Sequence, residues 1–299
     1  MSTEKILPEA GKPAAQLRAL PWSSIIWFGL LLVGLYYEVL YHMVSEWSTD
    51  ESMGHGFFVP VVALYIVWQK RDDWFALEPR PHWFGWVVLL IAFVGRLVGV
   101  FGADFFVQRL SFLAALYGLL LATVGWRLVR TLIFPLALLL FMVRIPLFIY
   151  SQITFPLQLF ASTVAAELLT WLGIPVFQDG NILELSTGKL SVVEACSGIR
   201  SLLSLSFLSL VYGYFFDSKP WMRWVLLVAS IPLAIAANAT RVTVTGIVSV
   251  YKKEMAEGVY HTLEGWVLFM VALGGLLVTH QLLNWLWSRI MRLRGAQHV

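Results

Sequence analysis

Apolar residues run along this chain in long stretches separated by short polar turns. Runs near 25–44, 83–101, 106–125, 131–149, 199–216, 222–239 and 262–287, with a shorter one at 57–69, approach the ~20 residues that an α-helix needs to cross a bilayer. They predict about eight transmembrane helices in an all-α polytopic protein. A closed β-barrel would read as short alternating segments instead. The stretch 153–173 is long enough to be a ninth span. Beyond it, "FQDGNILELSTGKLSVVE" alternates polar and apolar residues around "STGK", which predicts a small β-hairpin. Residues 1–21 are polar, hold Lys5, Lys12 and Arg18, and lead to no small-residue cleavage site, so they read as a retained tail. Residues 288–299 form a basic tail, and one membrane domain over 1–299 is expected, with no long-period repeat.

Charge decides the ambiguous stretch. With the N-terminus cytoplasmic, alternate loops hold Lys70, Arg71 and Arg80, then Arg127 and Arg130, then Lys219 and Arg223. Arg289, Arg292 and Arg294 follow in the tail, so that thirteen of the 21 Lys and Arg fall on one side. Loops 45–56 and 102–105 hold none, but do hold Glu46, Asp50, Glu51 and Asp104. This is the positive-inside bias. A crossing at 153–173 would invert every later loop, so that stretch is expected along or dipping into the outer interface. Gln158, Ser162 and Thr170, with Glu167 nearby, then mark a wetted face. Both termini are cytoplasmic in this reading, and 150–198 lies outside.

Composition agrees and excludes. Charged residues are 13% of the chain, against about 25% in soluble domains. The fourteen Trp and ten Tyr suit many membrane–water interfaces. One cysteine rules out a disulfide framework or a Cys-based zinc cluster. The six histidines are scattered with no H-E-x-x-H, and neither a G-x-S-x-G nor a Walker motif appears. No metal, no cofactor and no nucleic acid is therefore expected.

Three reactive side chains share the outer side in this topology: Cys196 before the sixth span, Arg241 at the end of the seventh, and His261 at the start of the eighth. Singly, each is ordinary: a small buried thiol, a snorkelling arginine, a solvated histidine. Together they are the parts of acyl transfer. A thiol at a helix N-terminus feels the positive end of the dipole and gains thiolate character. Gly198 lets a substrate backbone come close. Histidine moves protons near neutral pH, and arginine steadies an oxyanion.

"ACSG" (195–198), "NATR" (238–241), "HTLEGW" (261–266) and "GHGFFVPVVALYIVWQKR" (54–71), in this order, resemble the signature blocks of the exosortase/archaeosortase family. The resemblance runs from about 25 to 287 and implies a membrane cysteine transpeptidase or protease. Cys196 would be its nucleophile, with Arg241 and His261 as partners; which of the two donates the proton stays open. It also implies substrates exported with a C-terminal sorting signal, made of a short motif, a transmembrane helix and a basic tail. These would be cut on the outer face of a bacterial inner membrane, in exopolysaccharide and surface-protein export, with membrane lipids and a separate accessory protein as further partners.

Arg200, one turn from Cys196, is a candidate for binding substrate. Asn238, one turn before Arg241, could orient it, and His55 could reach in from the second span, though a plain turn explains His55 equally well. Arg96, Arg109 and Arg144, also in outer halves of spans, would bind acidic substrate or pair with Asp104, Glu167, Glu184 or Glu194. The rival function is a non-enzymatic channel or scaffold for polysaccharide export, its arginines facing anionic glycan or lipid.

Overall fold

The computed structural model of the chain describes residues 22–192, 199–251 and 259–295. These residues are almost wholly helical, and the chain divides into two compact units at Ile145/Pro146.

The first unit opens with α1 (Trp22–Leu35) and α2 (Tyr37–Thr49), one apolar run bent by 69°. The hinge is Tyr36, only 1% exposed, whose ring meets Phe112 edge-on at 5.5 Å. A 3₁₀ segment (Glu51–Phe57), capped by the Asp50 carboxylate accepting from the Ser52 N–H at 2.8 Å, leads into α3 (Phe58–Gln69) and the short α4 (Arg71–Phe75). Then α5 (Phe84–Phe101) and α6 (Phe105–Thr123) pair closely. A Cβ at Gly85 would stand 2.3 Å from the Ala122 nitrogen, so glycine sets that approach. Asp104 caps α6 by accepting from the Phe106 and Val107 N–H groups.

The run expected as a regular fifth span is instead broken into α7 (Trp126–Thr131), α8 (Ile133–Leu138) and a 3₁₀ turn (Leu139–Met142). Pro135 is the reason. It has no N–H to give the Thr131 carbonyl four residues back, and the Lys70 ammonium serves that carbonyl at 3.2 Å. At the far end Trp47 donates to the Met142 carbonyl at 3.2 Å, and His55 Nε2 meets the Phe141 carbonyl at 3.1 Å. The broken segment therefore runs the full depth of α3, from Lys70 to His55.

The second unit begins with α9 (Leu147–Trp171) and a three-stranded antiparallel sheet: β1 (Val176–Asp179), β2 (Ile182–Leu185) and β3 (Gly188–Ser191). The expected hairpin is β2–β3, with Leu183 opposite Leu190. The strand before it, β1, pairs on as well, placing Phe177 opposite Glu184. Alternation drives Leu183 and Leu185 inward against Ala161, Ala165 and Leu169 of α9 and Ala239 and Val242 of a later helix.

That helix, α11 (Pro220–Tyr251), lies between α10 (Ile199–Phe216) and α12 (Val259–Gly295) in sequence and packs on both. Its 32 residues make a rod of ~48 Å, longer than the ~30 Å hydrocarbon layer. The sheet packs along its Ala239–Val250 stretch.

Among the described residues, six helices are long and apolar enough to cross a membrane, or seven with the bent α1–α2 pair. Leu147–Trp171 is among them, and Arg200–Phe216 is a shorter apolar helix. One expectation is overturned: Gln158 and Ser162 are not a wetted face. They are 7% and 0% exposed, turned toward the unit's interior, where Ser162 donates to the Gln158 carbonyl and Asn181 to its carboxamide oxygen. Spacing located the stripe, but a buried hydrogen-bonded stripe and a solvated one have the same spacing.

Candidate functional site

Three helices set the candidate site in the second unit. Along α10 and α11, Gly213 lies beside Arg223, and the Ser206 and Ser230 hydroxyls are 3.2 Å apart. Leu202 shares a cavity with Ala234, Ile235 and Asn238. This antiparallel register brings the start of α10, at Ile199, level with the turn of α11 that holds Asn238 and Arg241. Cys196 precedes Ile199 by three residues and lies outside the described residues. On α12, Gly275 meets Leu233, so Arg241 falls opposite position ~267, and the His261 backbone lies ~9 Å further along. Arg241, with a side chain of comparable reach, is half-buried, whereas Arg200 is exposed.

Asn238, Arg241 and Thr245 recur every three to four residues and so share one stripe of α11. Asn238 is 7% and Thr245 3% exposed. Thr245 was missed from sequence; its four-residue spacing from Arg241 was the available signal. α9 fits against this part of α11 at Gly246, where a Cβ would stand 2.9 Å from Leu169 Cδ1. Arginine on such a stripe can hold a developing negative charge in surroundings poor in water.

The other sequence candidates belong to the first unit. His55 belongs to the first unit, tied to Phe141 as described. Arg109 pairs with Glu46 at 2.6 Å, Arg144 with Asp50 at 3.1 Å, and Arg96 with Glu38 at 3.6 Å and with Gln108. These are pairings, as one of the two readings expected, but the partners differ. Asp104 is a helix cap and Glu184 binds Lys189. The acids that matter, Glu38, Glu46 and Asp50, all come from α2 and its cap, where the spacing of the arginines gave no hint.

A second polar cluster, also missed from sequence, closes the opposite end of the α10–α12 bundle. Asp217 meets His280 Nε2 at 2.9 Å and accepts from Asn284 at 3.0 Å and from the Lys219 N–H at 2.7 Å. Tyr212 meets His280 Nδ1 at 2.9 Å. Burial alone would raise the Asp217 carboxyl, but the bonds from His280, the Lys219 N–H and Asn284, with the Lys219 charge, outweigh it and hold the carboxyl below its ordinary range. Among the described residues no group of three or more His, Cys, Asp or Glu side chains converges to hold a metal.

Neither a curated protein nor a solved structure matches the chain. A family model described as transmembrane exosortase does, over residues 47–278, from the last turn of α2 through the broken fifth segment, the sheet, α10 and α11 into the first half of α12. Covering well over half of the 299 residues, that match makes this chain a member of the transmembrane exosortase family.

Proposed function

We propose that the protein is a cysteine transpeptidase or protease of the bacterial inner membrane. It cleaves the C-terminal sorting signal of exported proteins on the outer face. The single observation that carries this reading is the register of α10 against α11. It sets the start of α10, three residues after the lone thiol, beside the turn of Asn238 and Arg241.

In the proposed reaction the Cys196 thiolate, favoured by the N-terminus of α10, attacks the scissile carbonyl. Arg241 holds the oxyanion while the carbon is tetrahedral. His261 takes the thiol proton and returns it to the departing amine, leaving an acyl-thioester. An amine acceptor or water then attacks the thioester, and the thiol is regained. Arg200 is assigned to the substrate's acidic part and Asn238 to its backbone. Substrates, lipid contacts and a separate accessory protein of the export system are the partners in this reading.

Eight crossings with both termini cytoplasmic fit this site. The broken segment 126–142 counts as the fifth, since it runs the depth of α3. Arg144, paired with Asp50, then stands outside. Only Ile145 and Pro146 separate it from α9, far too few to recross. The C-terminal half of α9 packs on the Ala239–Val250 stretch of α11, so in this reading α9, one continuous helix, lies along the outer interface. The export-scaffold alternative needs arginines open to anionic glycan, yet Arg96, Arg109 and Arg144 already face carboxylates.

The test is co-expression of the full chain with a tagged protein bearing a motif, a transmembrane helix and a basic tail. A mass shift of the reporter that depends on Cys196, Arg241 and His261 supports the reading. Processing that persists in Cys196→Ala refutes it.

A further inference from the structure

We infer that the outward flank of α9 and the turn that follows it form a lipid-insertion surface, which seats the β-sheet on a phospholipid leaflet. The inference takes from the function proposed above only its topology, in which that leaflet is the outer one. The exposed arc of α9 is divided lengthwise. Ile153, Phe160, Val164 and Trp171, spaced i, i+7, i+11 and i+18, fall on one line of the helix. Val164 is half-buried and the other three are exposed. Gln152, Thr163, Glu167 and Thr170, all exposed, fall on the neighbouring line. The Thr163 and Thr170 hydroxyls donate to carbonyls of their own helix, but Glu167 meets no cation among the described residues. A crossing helix would set both lines in hydrocarbon, where a bare carboxylate is disfavoured. A helix lying in the surface gives the apolar line to lipid and the polar line to water.

The turn after α9 is the second, independent observation. Gly173, at φ 78°, closes the helix. Its N–H donates to the Thr170 carbonyl at 3.0 Å, and the Ile174 N–H donates to the Leu169 carbonyl at 3.0 Å. Ile174 is buried with Leu169 and Leu183, so the core pins this turn. Trp171 and Leu172 are thereby held outward, 89% and 62% exposed. Alternation along β1 turns Phe177 away from the core as well, 67% exposed. Three large apolar side chains held out by a pinned backbone contrast with Asp179, Glu184 and Lys189 on the outward face of the same sheet. They suit the head-group boundary, where aromatic rings settle and surface elements bury their apolar side to ~5–10 Å. The sheet, and the Ala239–Val250 stretch of α11 that it covers, are then kept at the level of the lipid head groups.

The test places single cysteines in the full-length Cys196→Ala protein, whose only native thiol is thereby removed. Phe160→Cys, Trp171→Cys and Phe177→Cys probe the apolar side; Thr163→Cys, Glu167→Cys and Lys189→Cys probe the polar side. All six positions are exposed, which spares the fold. Each is labelled with an environment-sensitive fluorophore in nanodiscs of phosphatidylethanolamine and phosphatidylglycerol, then quenched by a shallow doxyl-labelled lipid or by aqueous iodide. The lipid quencher should act about threefold more strongly than iodide on the first set, and the order should reverse on the second. Iodide that reaches Trp171→Cys and Phe177→Cys as readily as Lys189→Cys overturns the surface. So does lipid quenching of Phe160→Cys, Thr163→Cys and Glu167→Cys alike, the result for a helix that crosses. Shielding of the first set from both quenchers assigns the flank to a protein partner or a second copy, and overturns it too. None of these readouts needs the Cys196 thiol, so their failure leaves the proposed reaction to be decided by reporter processing.

Discussion

The two units treat polar groups differently. In the first, charge is matched by charge: Arg96, Arg109 and Arg144 each face an acid from α2 or its cap, and the Arg109 side chain is 4% exposed against Glu46. In the second, the two ends of one bundle diverge. The Asp217–His280–Asn284 end is a closed network in which each group serves another. The Asn238 end leaves a buried carboxamide over an apolar hollow. Satisfied polar networks fix structure. Under the proposed function the closed end is scaffold and the Asn238 end belongs to the site.

The largest effect should come from the site. Cys196→Ala should lower reporter processing by a factor of ~10³ or more, the scale of losing a covalent nucleophile. Its thermal unfolding in detergent should remain that of the parent. A large shift in unfolding would instead make the thiol part of the scaffold and blur the contrast.

Next is the first unit's buried pair. Glu46→Gln strands the Arg109 guanidinium and should cost ~3–5 kcal/mol of stability. Arg109→Met combined with Glu46→Leu should recover most of it. If the single substitution leaves the melting temperature unchanged, the ladder is not holding the unit together.

The Asp217 network should come third. Asp217→Asn, which still accepts but carries no charge, should cost ~1–3 kcal/mol at pH 7. Because the folded carboxyl titrates below its ordinary value, its contribution is present above the unfolded pKa and fades as pH falls through the folded one. The difference in melting temperature between parent and variant should therefore shrink on acidification from pH 7 toward 3. A constant gap would mean that the carboxylate charge plays no part.

The smallest effect should be at Lys189. Its hydrogen bond to Glu184, and then that group's charge, raise the lysine pKa, so any contribution lasts through neutral pH and is lost only above the folded pKa. The pair is open to water and should add little. Lys189→Ala should leave the melting curve unmoved, and a clear shift would show that the sheet depends on its solvent edge.

Sequence by itself determined the solvent and the class, and it nominated the chemistry. Apolar runs of bilayer length, few charges and four ordered blocks led to a helical membrane protein of the exosortase family, and the same blocks nominate Cys196, Arg241 and His261 for the proposed reaction. Those features are local, written in composition and in spacing along one helix. What faces what was decided only in three dimensions. The acids that meet Arg96, Arg109 and Arg144 lie up to ninety-odd residues away on α2 and its cap, as Arg144 and Asp50 show. Pro135 was visible, but not that Lys70 would take the carbonyl it leaves unserved. Gln158 and Ser162 had the spacing of a wet face and turned inward. Helical periodicity gives the direction of a side chain about its own axis, and only the neighbouring helices decide whether that direction meets lipid, water or a partner.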